Sequence, residues 1–144
     1  MSPPSIFDKL GRRPKVAELV DWTLVDFDIE AQTIKLSFDG NERFTNPAGF
    51  IHGGILVAML DETMGSVILN TTQATMSATT ISLAVDYVRP ARCGRLFGDG
   101  QITSLGKSIA FVEAKLFGED GKVVARATAS FKLTPFDPET IIPH

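Results

Sequence analysis

Apolar and polar positions alternate along most of this chain, and the period changes once, at a single long apolar block. Trp22 to Ile29 alternates imperfectly. Thr33 to Phe38 alternates well, with Ile34, Leu36 and Phe38 set against Lys35 and Ser37. The two runs predict a hairpin turning around Glu30-Ala31-Gln32, closed by the turn residues Asp39-Gly40-Asn41-Glu42. After a loop from Arg43 to Ile51, His52-Gly53-Gly54 opens about four turns of helical pattern. That helix is apolar on almost every side: Ile55, Leu56, Val57, Ala58, Met59 and Leu60, then Met64, Val67, Ile68 and Leu69. A helix apolar all round is expected to be buried all round. Asp61 and Glu62 nevertheless stand in its middle, where a charge is costly unless paired, exposed or functional.

The period of two returns from Ser77 to Val88 and stops at Arg89-Pro90, because proline has no N–H for a sheet ladder. Leu96 to Leu105 predicts a weaker strand, loosened by Gly98 and Gly100, residues that mark bulges or close approaches. Ile109 to Phe117 alternates cleanly. The Asp120-Gly121 step that follows it is a strong hairpin signal, leading into a last strand from Val123 to Leu133. Ahead of the first hairpin, residues 1–14 predict a loose or draped arm. Lys15 to Asp21 predicts a short amphipathic helix with Val16, Leu19 and Val20 on one side. Residues 134–144 read as a tail. Tight turns force antiparallel pairing. The expected fold is therefore α+β and a single domain over residues 1–144, with one curved antiparallel sheet of about six strands around one long helix.

Composition narrows the function classes. The 144 residues are 44% apolar and 22% charged, with a formal net charge of −3 and both signs mixed along the chain. A nucleic-acid binder would show a basic stripe, and none is present. One cysteine, Cys93, excludes an intrachain disulfide and fits a reducing compartment. No basic-then-apolar leader opens the chain and no apolar run reaches a membrane span, so a cytoplasmic protein is expected.

The candidate chemistry gathers at the helix. Asp61 and Glu62 lie about 100° apart, so one can face a cleft while the other does not. At the helix start, the free N–H groups and the macrodipole suit an anion or a polarised carbonyl. The plain alternative is that His52 caps the helix and the two glycines only turn the chain. Elsewhere the signals are weak. There is no G-x-S-x-G elbow, P-loop or dinucleotide fingerprint, and two distant histidines with one cysteine give no metal-ligand spacing. Arg89, Arg92, Arg95 and Lys107 sit at strand ends and turns, where they suit solvation or, collectively, a phosphorylated ligand.

The run N-P-A-G-F-I-H-G-G over residues 46–54 is followed by a carboxylate nine residues after His52. Asp86-Tyr87-Val88-Arg89-Pro90 and Gly106-Lys107-Ser108-Ile109-Ala110-Phe111 support it. Together these resemble the hot-dog fold acyl-CoA thioesterases, specifically the branch containing the phenylacetate-degradation thioesterase PaaI. The resemblance spans roughly residues 20–133. It implies a thioester hydrolase acting on an acyl or aryl-acyl coenzyme A, with Asp61 as nucleophile or general base on water. It further implies Gly53 N–H as the carbonyl-polarising group, Asn46 and His52 as supporting polar residues, and Thr80 as a hydroxyl assisting the water. Arg89, Lys107 and Ser108 are the implied contacts to coenzyme A, which is substrate; no metal or other cofactor is implied. The site is implied to be shared in a homodimer or dimer of dimers, Asn46 to Gly53 from one subunit and Asp61 with Thr80 from the other. Some relatives place a threonine one turn after the carboxylate, where this chain has Gly65. Two other readings accompany this one: a hot-dog enoyl-CoA hydratase using His52 with Asp61, and a non-catalytic acyl-CoA-binding protein.

Overall fold

A computed structural model describes residues 6–7, 11 and 13–137. A short helix α1 (Lys15–Leu19) precedes the hairpin β1 (Thr23–Asp28) and β2 (Thr33–Gly40). A 3-10 turn (Glu42–Phe44) and the entry loop then lead into the long helix α2 (Gly53–Thr71). Four strands follow: β3 (Met76–Tyr87), β4 (Gly94–Leu105), β5 (Ile109–Phe117) and β6 (Val123–Pro135). They form one antiparallel six-stranded sheet in the order β1-β2-β4-β5-β6-β3. Helix α2 lies against it and touches every strand. This is the hot-dog arrangement.

The alternation explains which face meets the helix. Ala110, Val112, Ala114 and Leu116 of β5, and Ala125, Ala127, Ala129, Phe131 and Leu133 of β6, are buried beneath α2. Gly98 and Gly100 serve a close approach. A Cβ at Gly98 would overlap Thr63 Oγ1 and come within 3.1 Å of the Phe38 ring, and one at Gly100 would come within 3.0 Å of Thr63 Cγ2. Thr63 is fully buried there and satisfies its hydroxyl by donating to Met59 O at 2.8 Å.

One irregularity matters for everything below. The β3–β6 register shifts between Thr80 and Ser82, a bulge that leaves Ile81 without a partner. Thr80 pairs with buried Phe131, and Leu83, Val85 and Tyr87 pair with buried Ala129, Ala127 and Ala125. Directly opposed residues point to the same side of a sheet, so the bulge lets residue 80 and residues 83, 85 and 87 all face the helix.

Several expectations change. Helix α2 is not covered all round: Gly54 is exposed, and Val57, Ala58, Asp61 and Gly65 are only partly buried, leaving one open stripe. In α1 the inward face is Ala17 and Val20, while Val16 and Leu19 lie exposed. The reason is that the chain bends back after five residues, with Trp22 N donating to Ala17 O and Asp39 N to Val20 O, which turns Val20 rather than Leu19 inward. Of the arm expected to be loose or draped, Ile6 and Phe7 are buried, with Phe7 6.2 Å from the Trp22 ring centre. Strand β6 continues past Leu133 to Pro135, opposite Met76; residues 138–144 of the expected tail lie outside the described residues.

The outer face of the sheet carries a row of charges in direct register, one from each strand: Asp26, Lys35, Asp99, Lys115, Arg126 and Asp86. Lys35 pairs with Asp99 at 3.8 Å and Arg126 with Asp86 at 3.2 Å. By contrast, among the described residues the outer edge of β3 has no strand beside it, and Ile81 is 58% exposed.

Candidate active site

The helix entry is tied down by its own side chains. His52 is the N-cap of α2, its Nδ1 accepting from Gly54 N at 2.9 Å. The plain capping role is thus present, whatever else the residue does. Asn46 Oδ1 accepts from Ala48 N at 3.0 Å and Phe50 N at 3.2 Å, and Asn46 N donates to Phe50 O at 2.7 Å. Because both side-chain partners are N–H donors, the amide oxygen is the end in use within the loop. Ile51 N donates to Ala91 O at 2.9 Å and His52 N to Phe44 O at 2.8 Å, fixing the loop to the β3–β4 connection and the 3-10 turn. Gly53 is the first helical residue, so its N–H has no intrahelical acceptor.

Tyr87 is a residue of this site that the sequence did not single out by itself. Its hydroxyl donates to Gly53 O at 2.9 Å, and a Cβ at Gly53 would lie 3.0–3.2 Å from its hydroxyl and ring. A side chain at 53 would press on that tyrosine, which would have to give by a few tenths of an ångström. The signal was present as the chain's single tyrosine, in the Asp86–Pro90 run, but its facing depends on the bulge at Ile81.

Asp61 and Glu62 separate as the 100° step requires. Thr80 Oγ1 donates to Asp61 Oδ1 at 2.7 Å on the open stripe of α2. Glu62 turns the other way and accepts from Trp22 Nε1 at 3.0 Å. Burial pushes its carboxyl above the ordinary range; the tryptophan N–H opposes that shift, and the neighbouring Asp61 charge adds to it. Glu62 is a structural residue holding Trp22, which also carries Phe7 and the Arg13 guanidinium 4.8 Å above its ring.

Within one chain the two halves stay apart. Gly53 and Asp61 are eight residues along the same helix, about 12 Å of rise, so one carbonyl group cannot reach both. The coenzyme A candidates are divided too. Ser108 O accepts from Leu133 N, opposite Ala78, whereas Arg89 N lies on Val124 O beyond Tyr87. That puts Lys107-Ser108 and Arg89 at opposite ends of β3, about 30 Å apart along the strand. A cavity of about 730 Å³ opens on the outer face among Lys35, Asp99, Lys115 and Arg126. None of Asn46, His52, Gly53, Asp61 or Thr80 lines it. Among the described residues no acidic, histidine or cysteine cluster could hold a metal ion, and no helix is long and apolar enough to cross a membrane.

Comparison with known proteins places this geometry among relatives. The family model described as the thioesterase superfamily matches residues 48–125, just over half of the chain and inclusive of the helix entry, Asp61 and Thr80. A phenylacetic acid degradation-related protein of Ralstonia eutropha JMP134 is 30% identical with a TM-score of 0.82, covering 90% of this chain and 99% of its own. The PaaI protein of the Escherichia coli phenylacetic acid degradation operon is 15% identical with a TM-score of 0.80, covering 90% and 91%, a likeness of fold. The medium/long-chain acyl-CoA thioesterase YigI of Salmonella typhimurium is 30% identical over 94 residues, 56% of this chain and 61% of that protein.

Proposed function

The chain belongs to the thioesterase superfamily, and from that premise we infer that it hydrolyses acyl-CoA thioesters to a carboxylic acid and free coenzyme A. The observation that carries this reading is the Asp61 carboxylate, held by the Thr80 hydroxyl at 2.7 Å on the one uncovered stripe of an otherwise buried helix. Asp61 makes no ion pair among the described residues, so its charge remains available for chemistry.

The reaction divides between two chain segments. Gly53 N–H, at the positive end of α2, receives the thioester carbonyl oxygen and stabilises the negative charge that develops on it. Asp61 takes a proton from water, whose oxygen then bonds to the carbonyl carbon; in the alternative route the carboxylate itself makes that bond. The tetrahedral species collapses by breaking the C–S bond, and the departing thiolate takes up a proton to leave as coenzyme A; in the alternative route this leaves an Asp61–acyl anhydride, which water then hydrolyses to the carboxylic acid and the free Asp61 carboxylate. Thr80 orients the carboxylate, Asn46 offers its amide NH2 to water or substrate, and His52 holds the helix start through its cap. Single-turnover hydrolysis in heavy-oxygen water separates the two routes.

About 12 Å of helix between Gly53 and Asp61 supports a site completed by a second subunit. The unpaired edge of β3, with exposed Ile81, Tyr87 and Val88 along it, is the surface that suits that contact, since an open strand edge recruits another strand. The charge row on the outer face suits water better than a dry contact. A homodimer through β3, or a dimer of such dimers, in the cytoplasm is the assembly we propose. One coenzyme A then meets Arg89 or Lys107-Ser108 of a given chain, not both. Coenzyme A enters as substrate, and the reaction as written uses no further cofactor.

His52 does not favour the hydratase reading: its Nδ1 is occupied by the cap, and among the described residues it pairs with no carboxylate. Thiol release from a panel of acyl-CoAs by wild type and Asp61→Asn is the test. Equal activity in the two proteins would sink the mechanism, and binding without turnover in wild type would sink the hydrolase reading.

A further inference from the structure

Helix α2 contains three glycines, and two have a reason inside the chain. Gly53 lies against Tyr87 and Gly54 against the His52 ring, whereas a Cβ at Gly65 would meet no atom within 4 Å. Among residues other than proline, glycine weakens a helix interior most. Nothing within its own chain packs against position 65 to call for glycine there. Gly65 lies one turn beyond Asp61, about 40° round the helix and about 6 Å along it, on the same open stripe.

Two occupants are available, a second subunit's helix and the substrate. Resting on the shared-site reading above, the geometry separates them. If Gly53 of the partner subunit faces Asp61, two-fold symmetry runs the helices antiparallel and pairs positions whose numbers sum to that of this pair. Gly65 then falls opposite position 49 of the partner, in its entry loop and beyond the start of its helix. The close helix contact is thus confined to the segment around Val57 and Ala58, and the space at Gly65 opens beside the reacting carbonyl. We propose that Gly65 is a specificity-determining residue: its missing side chain forms the floor of the acyl pocket and admits a group with bulk about 6 Å from the carbonyl, an aryl-acyl or medium-length chain.

The test compares wild type, Gly65→Ala and Gly65→Val on acetyl-CoA, phenylacetyl-CoA and octanoyl-CoA. Binding of the corresponding non-hydrolysable thioethers is measured in parallel, which reads the pocket whether or not hydrolysis occurs. Gly65→Val is expected to keep acetyl-CoA kcat/KM and acetyl-thioether affinity within about threefold. On the two bulky groups it is expected to lose about 30-fold or more, in the range a few methylenes produce in a shaped pocket. Gly65→Ala, the better helix former, gives the same order with smaller losses and serves if valine perturbs folding. An equal loss on all three acyl groups, an unchanged profile, or dissociation of the dimer would overturn the proposal. Failure of the hydrolase reading appears separately, as absent turnover in wild type.

Discussion

Thr80→Val isolates one hydrogen bond. Valine keeps the β-branched shape and removes the hydroxyl that donates to Asp61 Oδ1 at 2.7 Å. A hydrogen bond to a charged group contributes about 1.5–3 kcal/mol net. Thr80 is exposed, so water replaces part of the lost interaction, and about 1–2 kcal/mol of transition-state stabilisation is the expected loss. That corresponds to about a 5- to 30-fold fall in kcat/KM. Folding stability should change by less than about 0.5 kcal/mol, because Thr80 is exposed on an edge strand and valine suits a strand. The assay is continuous thiol release with a thermal melt on the same preparation, and Thr80→Ser, which restores the hydroxyl, is the control. A Thr80→Val enzyme within twofold of wild type would refute the reasoning, as would a Thr80→Ser enzyme as slow as the valine variant.

Glu62→Gln keeps an acceptor for Trp22 Nε1 and removes the buried charge. Since the Glu62 carboxyl is raised from 4.5, its contribution to stability is fully present below that value and is lost as pH rises through the raised one. The variant should therefore be at least as stable as wild type at pH 7, with a flatter stability profile above pH 4.5. Denaturant melts read by the emission of Trp22, the chain's one tryptophan, measure both. Gly98→Ala should cost about 1–3 kcal/mol by overpacking against Thr63 and Phe38 and lower Tm by about 3–10 °C, read by calorimetry. Gly65→Ala should go the other way, raising Tm by about 2–4 °C, since its Cβ meets nothing and alanine gains about 1 kcal/mol in a helix. Equal shifts at the two glycines would show that the close approach of α2 to β4 has been misjudged.

The strands and the long helix were legible because each has one dominant period, and the Asp120-Gly121 step marks its hairpin in the sequence alone. The helix entry was legible as a helix start, since histidine followed by two glycines suits a cap, and the cap is what the structure shows. Three features were not. A bulge at Ile81 changes which β3 residues face the helix, and the sequence around it, Thr79-Thr80-Ile81-Ser82, contains no glycine or proline to announce it. Without that change of parity, neither Tyr87 over Gly53 nor its sharing a face with Thr80 can be read from alternation. The Trp22–Glu62 hydrogen bond joins positions 40 residues apart on different elements, and only tertiary packing brings them together. The open stripe on α2 is hidden because Val57 and Ala58, which lie on it, are as apolar as the helix residues packed against the sheet.

The central claim is that catalysis needs Asn46 to Gly53 of one subunit and Asp61 with Thr80 of another. Subunit complementation tests it most directly: Asp61→Asn is unfolded and refolded together with a variant carrying Asn46→Ala and His52→Ala, each inactive alone. If the site is shared, half of a random equimolar mixture is heterodimer with one intact site in two, and activity returns to about one quarter of wild type. A mixture as inactive as its parents, with heterodimers shown to form, would contradict the account.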